Sequence, residues 1–158
     1  RNSLIVLKNN MSNKIPPPIV TFFFGLCIYL SRPYFPEFSF SILNSLSTIS
    51  FVLGITVFAT AVSSFKRQNT TVNPISIEKA SSLVVNGVFK YSRNPMYLGM
   101  LFILLGLTFK FNLIGGLFFT SIFMIFISIF QIKPEEAAME KLFDQEWKDY
   151  IKNVRRWL

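Results

Sequence analysis

The sequence predicts an all-α fold: a polytopic integral membrane protein with about four transmembrane helices and a cytoplasmic amphipathic helix at the C-terminal end. Three observations predict it. Apolar residues make up 51% of the 158, phenylalanine alone supplies 19, and charged residues reach only 15%, a composition unusual for a soluble domain of this size. The apolar residues lie in blocks that approach or exceed the roughly 20 residues needed to cross a bilayer. Within those blocks the polar residue every turn that marks a soluble amphipathic helix is missing.

The first block is "IPPPIVTFFFGLCIYL", Ile15 to Leu30. Its prolines suit a helix entrance, where a missing N–H costs no hydrogen bond, and Arg32, Pro33 and Pro36 end it. The second block, Phe38 to Phe65, carries no charge, and its serines and threonines can hydrogen-bond within or between helices. Lys66 and Arg67 stop it at an interface. A third block opens at Pro95 and runs to Phe109, a short span that needs local thinning or snorkelling by Lys110. Asn112 and the pair Gly115, Gly116 predict a tight reversal into a fourth block ending near Ile132. The tail from Lys133 to Leu158 repeats apolar residues at Met139, Leu142, Phe143, Trp147, Tyr150, Ile151 and Val154, the spacing of an amphipathic helix that packs on the bundle or lies on the membrane.

Four spans put both termini on one side. The segment Lys66 to Arg93 holds five basic residues against the single acid Glu78, which the positive-inside rule assigns to the cytoplasm; Lys14 agrees, and a bacterial inner membrane is the expected location. The net charge of +8 therefore reads as topology and attraction to anionic lipid, and no basic-aromatic domain supports binding of nucleic acid. With no histidine and the single Cys27 inside a span, disulfides, the usual zinc sites and histidine general bases are excluded, and no metal is expected. Residues 1–14 are expected to be an N-terminal extension, of which 1–10 read as vector-derived or upstream of a natural start at Met11, with no cleavable signal peptide. Residues 15–158 are expected to form one membrane domain; oligomeric state is not readable, and a loop is favoured over a helix contact at Gly115-Gly116.

Chemistry must come from the polar loop Lys66 to Asn94 and the tail, because nothing ionisable lies inside the spans. Asn73 and Asn94 each precede proline, a turn or helix-start signal. Asn94 as N-cap and Pro95 as first helical residue would aim free N–H groups and a helix dipole at the interface beside Arg93, a corner suited to a carboxylate or phosphate. The plainer reading is a membrane helix start anchored among headgroups by Arg93, Tyr91 and Tyr97. Glu135 and Glu136 occupy the first turn of the tail helix, where the dipole favours acids; they also suit an ammonium group or ribose hydroxyls. Arg155, Arg156 and Trp157 read as a headgroup anchor.

The stretch "GVFKYSRNPMYLG" resembles the G-x-Y-x-x-x-R-(H/N)-P-x-Y-x-G signature of the isoprenylcysteine carboxyl methyltransferase and phospholipid N-methyltransferase superfamily. "PEE" followed by "LFDQEWKDYIKNVRRWL" resembles that superfamily's paired-acid tail, and "TTVNP" is similar to its bacterial branch. The resemblance covers most of the chain from about Phe65 onward. It implies a methyltransferase using S-adenosylmethionine, bound at the cytoplasmic face by residues 66–99 and 133–158. By residue, it implies cofactor contacts from a strand-like approach at Leu83, Val85 and Gly87, from Tyr91, Arg93, Asn94, Pro95, Tyr97 and Gly99, and from Glu135 and Glu136. Arg93, Asn94 and Glu136 would serve catalysis, and Arg155 and Trp157 would close the site or meet the substrate headgroup.

Three departures from that pattern stand out. Asn94 replaces the histidine of many relatives, Phe89 a tyrosine, and Asp144 the usual glycine after Phe143. Methyl transfer is an in-line displacement that asks mainly for alignment; a carboxylate or thiolate acceptor needs no base, whereas an amine must lose a proton to water or Glu136. A prenylated-cysteine carboxylate, a phospholipid amine, a small thiol and an isoprenoid hydroxyl all fit as the lipophilic, membrane-associated acceptor. Two alternatives remain: an NADPH-dependent reductase of the sterol-reductase type, usually a much longer chain, and a non-catalytic membrane protein retaining the fold.

Overall fold

The structure is a computed structural model that describes residues 15–67 and 82–158. The step Asn73-Pro74, the "TTVNP" stretch and the N-terminal extension lie outside the described residues. Helix α1 (Pro17–Leu30) starts on its proline run and buries Val20, Phe24, Gly25 and Ile28. A 3-10 turn at Arg32–Tyr34 follows it.

Helix α2 (Ser41–Arg67) buries Leu43, Ser47, Ser50, Gly54 and Ala61, all on one face at steps of three, four or seven. Its outward residues include Ile42, Ile49, Val52 and Ile55, each more than half exposed. Small residues in and large apolar residues out is the reverse of a soluble helix and the pattern of helix packing in lipid. The expected start at Phe38 shifts: Phe38 and Phe40 precede the helix and stack on each other at 6.2 Å. Lys66 and Arg67 lie inside the last turn, where cations complement the helix dipole.

Helix α3 (Pro95–Phe111) packs antiparallel along α2. The two backbones approach at a glycine pair: a Cβ on Gly99 would lie 2.8 Å from the Gly54 carbonyl oxygen and 2.9 Å from the Phe58 nitrogen. Farther along, Ser47 Oγ donates to the Gly106 carbonyl at 2.9 Å, an interhelical bond of the kind expected from the serines of this span.

Asn112 alone makes the reversal into helix α4 (Leu113–Ile127). Its side-chain oxygen accepts from the Gly115 N–H at 3.0 Å, and its amide nitrogen donates to Ser31 Oγ at 2.9 Å, tying the end of α1 to the turn. Gly115 and Gly116 therefore belong to α4 and not to a loop; a Cβ on Gly116 would lie 2.5 Å from Thr108 Oγ1, so their smallness serves the contact of α3 with α4.

The chain does not break after α4. A π turn at Ser128–Ile132 leads into helix α5 (Lys133–Asn153), which is kinked at Asp144 (φ 31, ψ −98); helical turns run from Leu113 to that kink and resume beyond it. Pro134 comes immediately after the widened turn. A proline lacks its N–H and its ring meets the carbonyl four residues back, and a π turn relieves both.

The long helix and α2 meet the length and apolarity needed to cross a membrane. At about 1.5 Å per residue α1 and α3 reach roughly 21 and 26 Å, short of a hydrocarbon core of about 30 Å. The fold is all-helical among the described residues, and its apolar outer face belongs to a membrane protein. Ile15, Arg93 and Gln131 lie at one end of the bundle, joined in part by the bond from Gln131 Nε2 to the Ile15 carbonyl at 3.0 Å. Arg32, Phe111 and Asn112 lie at the other.

Candidate functional site

Four pieces converge at the first end: the loop 82–94, the first turn of α3, the first turn of α5 and the C-terminal residues 154–158. Each has a local reason to be there. Gly87, at φ +63, starts a 3-10 turn, Gly87–Lys90, in a conformation natural to glycine, and Phe89 from that turn is buried against Ala61 and Val84. Leu83 and Val85 pack against Trp147, Tyr150 and Val154 of the C-terminal region, while Tyr150 Oη donates to the Phe89 carbonyl at 2.7 Å. Thus α5 folds onto the loop, with Leu142 and Ile151 left exposed. Residues 83–85 run without helix or strand pairing, so the strand-like approach is an unpaired loop.

Glu135 accepts a hydrogen bond from Tyr97 Oη at 2.5 Å. Burial raises the pKa of its carboxyl most, the Tyr97 hydrogen bond lowers it, the charge of Glu136 raises it, and the outcome is about 7. Glu135 is therefore an acid poised near neutrality. Glu136 has other company. Its oxygens accept from Arg156 Nε at 3.1 and 3.2 Å and from an Arg156 terminal nitrogen at 2.6 Å, and Arg93 stands 3.4 Å away.

The side chains of Arg93 and Glu136 are only 13% and 15% exposed, so this is a partly desolvated triad with two cations on one carboxylate. Hydrogen bonds to the Glu136 carboxylate hold the pKa of Arg156 above its ordinary value. Arg93 also lies over the Trp147 ring at 5.9 Å, and its Nε is buried without a hydrogen-bond partner among the described residues.

Asn94 occupies the N-cap position of α3, but its side chain makes no capping bond. Instead Asn94 Nδ2 donates to the Arg156 carbonyl at 3.1 Å, and the Arg93 N–H donates to the Arg155 carbonyl at 3.0 Å. The expected side-chain cap is thus diverted to hold the C-terminal residues, and Pro95 is buried at the first helical position. The chain leaves α5 at Val154 with extended dihedrals (φ −123, ψ 129). Val154 is buried, Arg155 exposed, and Arg156 turned inward.

The structure brings together Arg93, Asn94, Tyr97, Glu135 and Glu136. It does not bring in Tyr91, which is 73% exposed, or the side chain of Arg155. Gly99 is committed to its contact with Gly54, and Trp157 packs against the bundle core. Arg156 and Trp147 are the site members that spacing did not select. Among the described residues no group of acids, cysteines or histidines could hold a metal ion. What the corner offers is the Glu135 carboxyl, the paired guanidinium of Arg93 and an α3 N-terminus uncapped by Asn94, groups of the kinds that hold an ammonium and a carboxylate.

The profile of the phospholipid methyltransferase family matches residues 43–146, a stretch that includes Arg93, Asn94, Tyr97 and both glutamates. An uncharacterized protein of Haemophilus influenzae is 40% identical over 63 residues, which are 40% of this chain and 100% of that protein. No solved structure matches.

Proposed function

This chain belongs to the phospholipid methyltransferase family, and from that premise we propose that it is an S-adenosylmethionine-dependent methyltransferase acting on a lipophilic acceptor at the cytoplasmic face. The observation that carries the proposal is the gathering, at the start of α3 and α5, of the Tyr97-bonded acid Glu135 with the Arg93–Glu136–Arg156 cluster. S-adenosylmethionine, when bound, supplies a methyl group on a positively charged sulfur.

The residues present divide the work of holding it. Glu135 takes the ammonium of its amino-acid moiety, with Tyr97 fixing the carboxylate's orientation. Arg93 and the first N–H groups of α3 take the carboxylate. Glu136 and Trp147 position Arg93, and Arg156 completes the pairing, so Glu136 acts through Arg93 instead of serving as a general base. An amine acceptor would then release its proton to water. The acceptor enters from the bilayer alongside the helices, which suits a lipid, a prenylated carboxylate or another membrane-dissolved nucleophile.

Membranes containing the protein, incubated with donor carrying a tritiated methyl group, test the proposal. Label should enter the organic-phase extract and fall to background in Arg93→Ala. Equal label in membranes without the protein would overturn the reading.

A further inference from the structure

The opposite end of the bundle carries a second polar feature that the methyltransferase reading leaves unused. Arg32, just past α1, lies over the rings of Tyr29 at 5.7 Å and Phe111 at 5.6 Å, two aromatics that meet edge to face at 5.2 Å. Its Nε is buried without a hydrogen-bond partner among the described residues. Its nearest acid, Glu37, stands 4.0 Å away with 83% of its side chain exposed, a loose pair worth little by itself. Tyr29, Leu30, Arg32, Pro33 and Glu37 line an open cavity of about 410 Å³. Lys110, at the same end, is hydrogen-bonded to Asn44.

We propose that this cavity holds the headgroup of a zwitterionic aminophospholipid as a resident lipid, with the phosphate on Arg32 and the ammonium on Glu37. A guanidinium packed beside two rings, with its side chain 41% exposed, presents its terminal nitrogens to phosphate oxygens. Glu37 would repel a purely anionic headgroup but attracts an ammonium a few ångströms from the phosphate. The acyl chains have a path as well. Phe22, Leu26 and Leu30 are exposed on α1 at steps of four, an apolar stripe that runs to the cavity. That stripe distinguishes a lipid from free phosphate. The lipid is separate from the methyl acceptor, whose site lies at the other end, so the inference stands independently of the proposed function.

Native mass spectrometry of detergent-purified protein, offered phosphatidylethanolamine, phosphatidylglycerol or glycerophosphoethanolamine, tests it. Wild type should retain phosphatidylethanolamine in preference to phosphatidylglycerol and should not retain the chain-free headgroup. Arg32→Gln should weaken retention by about tenfold or more, as expected for a lost charge-assisted contact. Glu37→Gln, a change at an exposed side chain that leaves folding intact, should abolish the preference between the two lipids. Retention unchanged in folded Arg32→Gln would place the lipid elsewhere and overturn the proposal, as would a preference that survives Glu37→Gln. Binding of glycerophosphoethanolamine as tight as the full lipid would overturn the lipid assignment.

Discussion

Replacing Glu135 by Gln separates the two acids at the start of α5 and tests what each one is for. The Glu135 carboxyl is raised from the ordinary 4.5 to about 7, so the fold prefers its protonated form. The associated stability is fully present below about pH 4.5 and is lost as pH rises through about 7. At about 1.4 kcal/mol per unit, the loss by pH 8 is at most about 3.5 kcal/mol, and less to the extent that water reaches this half-buried residue. Glutamine carries no charge at any pH and still accepts the Tyr97 hydrogen bond. The variant should therefore match wild type at pH 5 and melt higher than wild type at pH 8, with a flatter profile between. Its affinity for S-adenosylhomocysteine should move the opposite way, falling about tenfold or more at pH 8 through loss of a charge-assisted contact to the ligand's ammonium. Wild-type affinity should tighten from pH 6 to pH 8 as Glu135 ionises, and the variant's should not. Melting curves from pH 5 to 8.5 in detergent, paired with calorimetric titrations, read both effects. Parallel melting profiles for the two proteins, or equal affinity at pH 8, would refute the reasoning.

Glu136→Gln should behave differently, costing stability at every pH near neutrality because Arg93 and Arg156 lose their shared carboxylate, by about 2 kcal/mol on thermal or chemical melts. Asp144 sits at φ 31 inside α5, in the region favoured by glycine, and its bond to Lys148 is on the surface; Asp144→Gly should stabilise the protein by about 1 kcal/mol on a denaturant melt. Gly99→Ala should cost about 1–3 kcal/mol by overpacking against α2 while leaving the dissociation constant for S-adenosylhomocysteine within about twofold in protein that remains folded. Asn94→Ala removes the tie to the Arg156 carbonyl and should speed amide hydrogen exchange at residues 155–157 without shortening α3, as seen by circular dichroism.

Much of the fold was legible because bilayer length and charge placement act on long stretches of sequence. The uncharged run from Ser41 to Phe65 could hardly be anything but a helix in lipid, and Pro95 marked the start of α3 to the residue. Misjudgements arose where one side chain decides between two local structures. Gly115 and Gly116 have turn chemistry, yet Asn112 alone makes the reversal by capping α4, which frees the glycines for close packing on Thr108. The fourth block was expected to end near Ile132, but a π turn at Ser128–Ile132 carries the helix on past Pro134. At the candidate site, Arg93, Tyr97, Glu135 and Glu136 were selected by their order and setting, and the structure gathers them in one corner. Arg155 was carried over from the superfamily's tail, whereas it is Arg156 that the structure sets against Glu136. Asp144 was visible as a departure from glycine, and its positive φ supplies the reason for that glycine.

Direct titration of S-adenosylhomocysteine into folded, detergent-purified protein tests the central claim most closely, because it asks for the zwitterion site without needing the acceptor. The account predicts one site of micromolar affinity, weakened in Glu135→Gln and in Arg93→Ala. Absence of binding by wild-type protein, or binding indifferent to both substitutions, would contradict it.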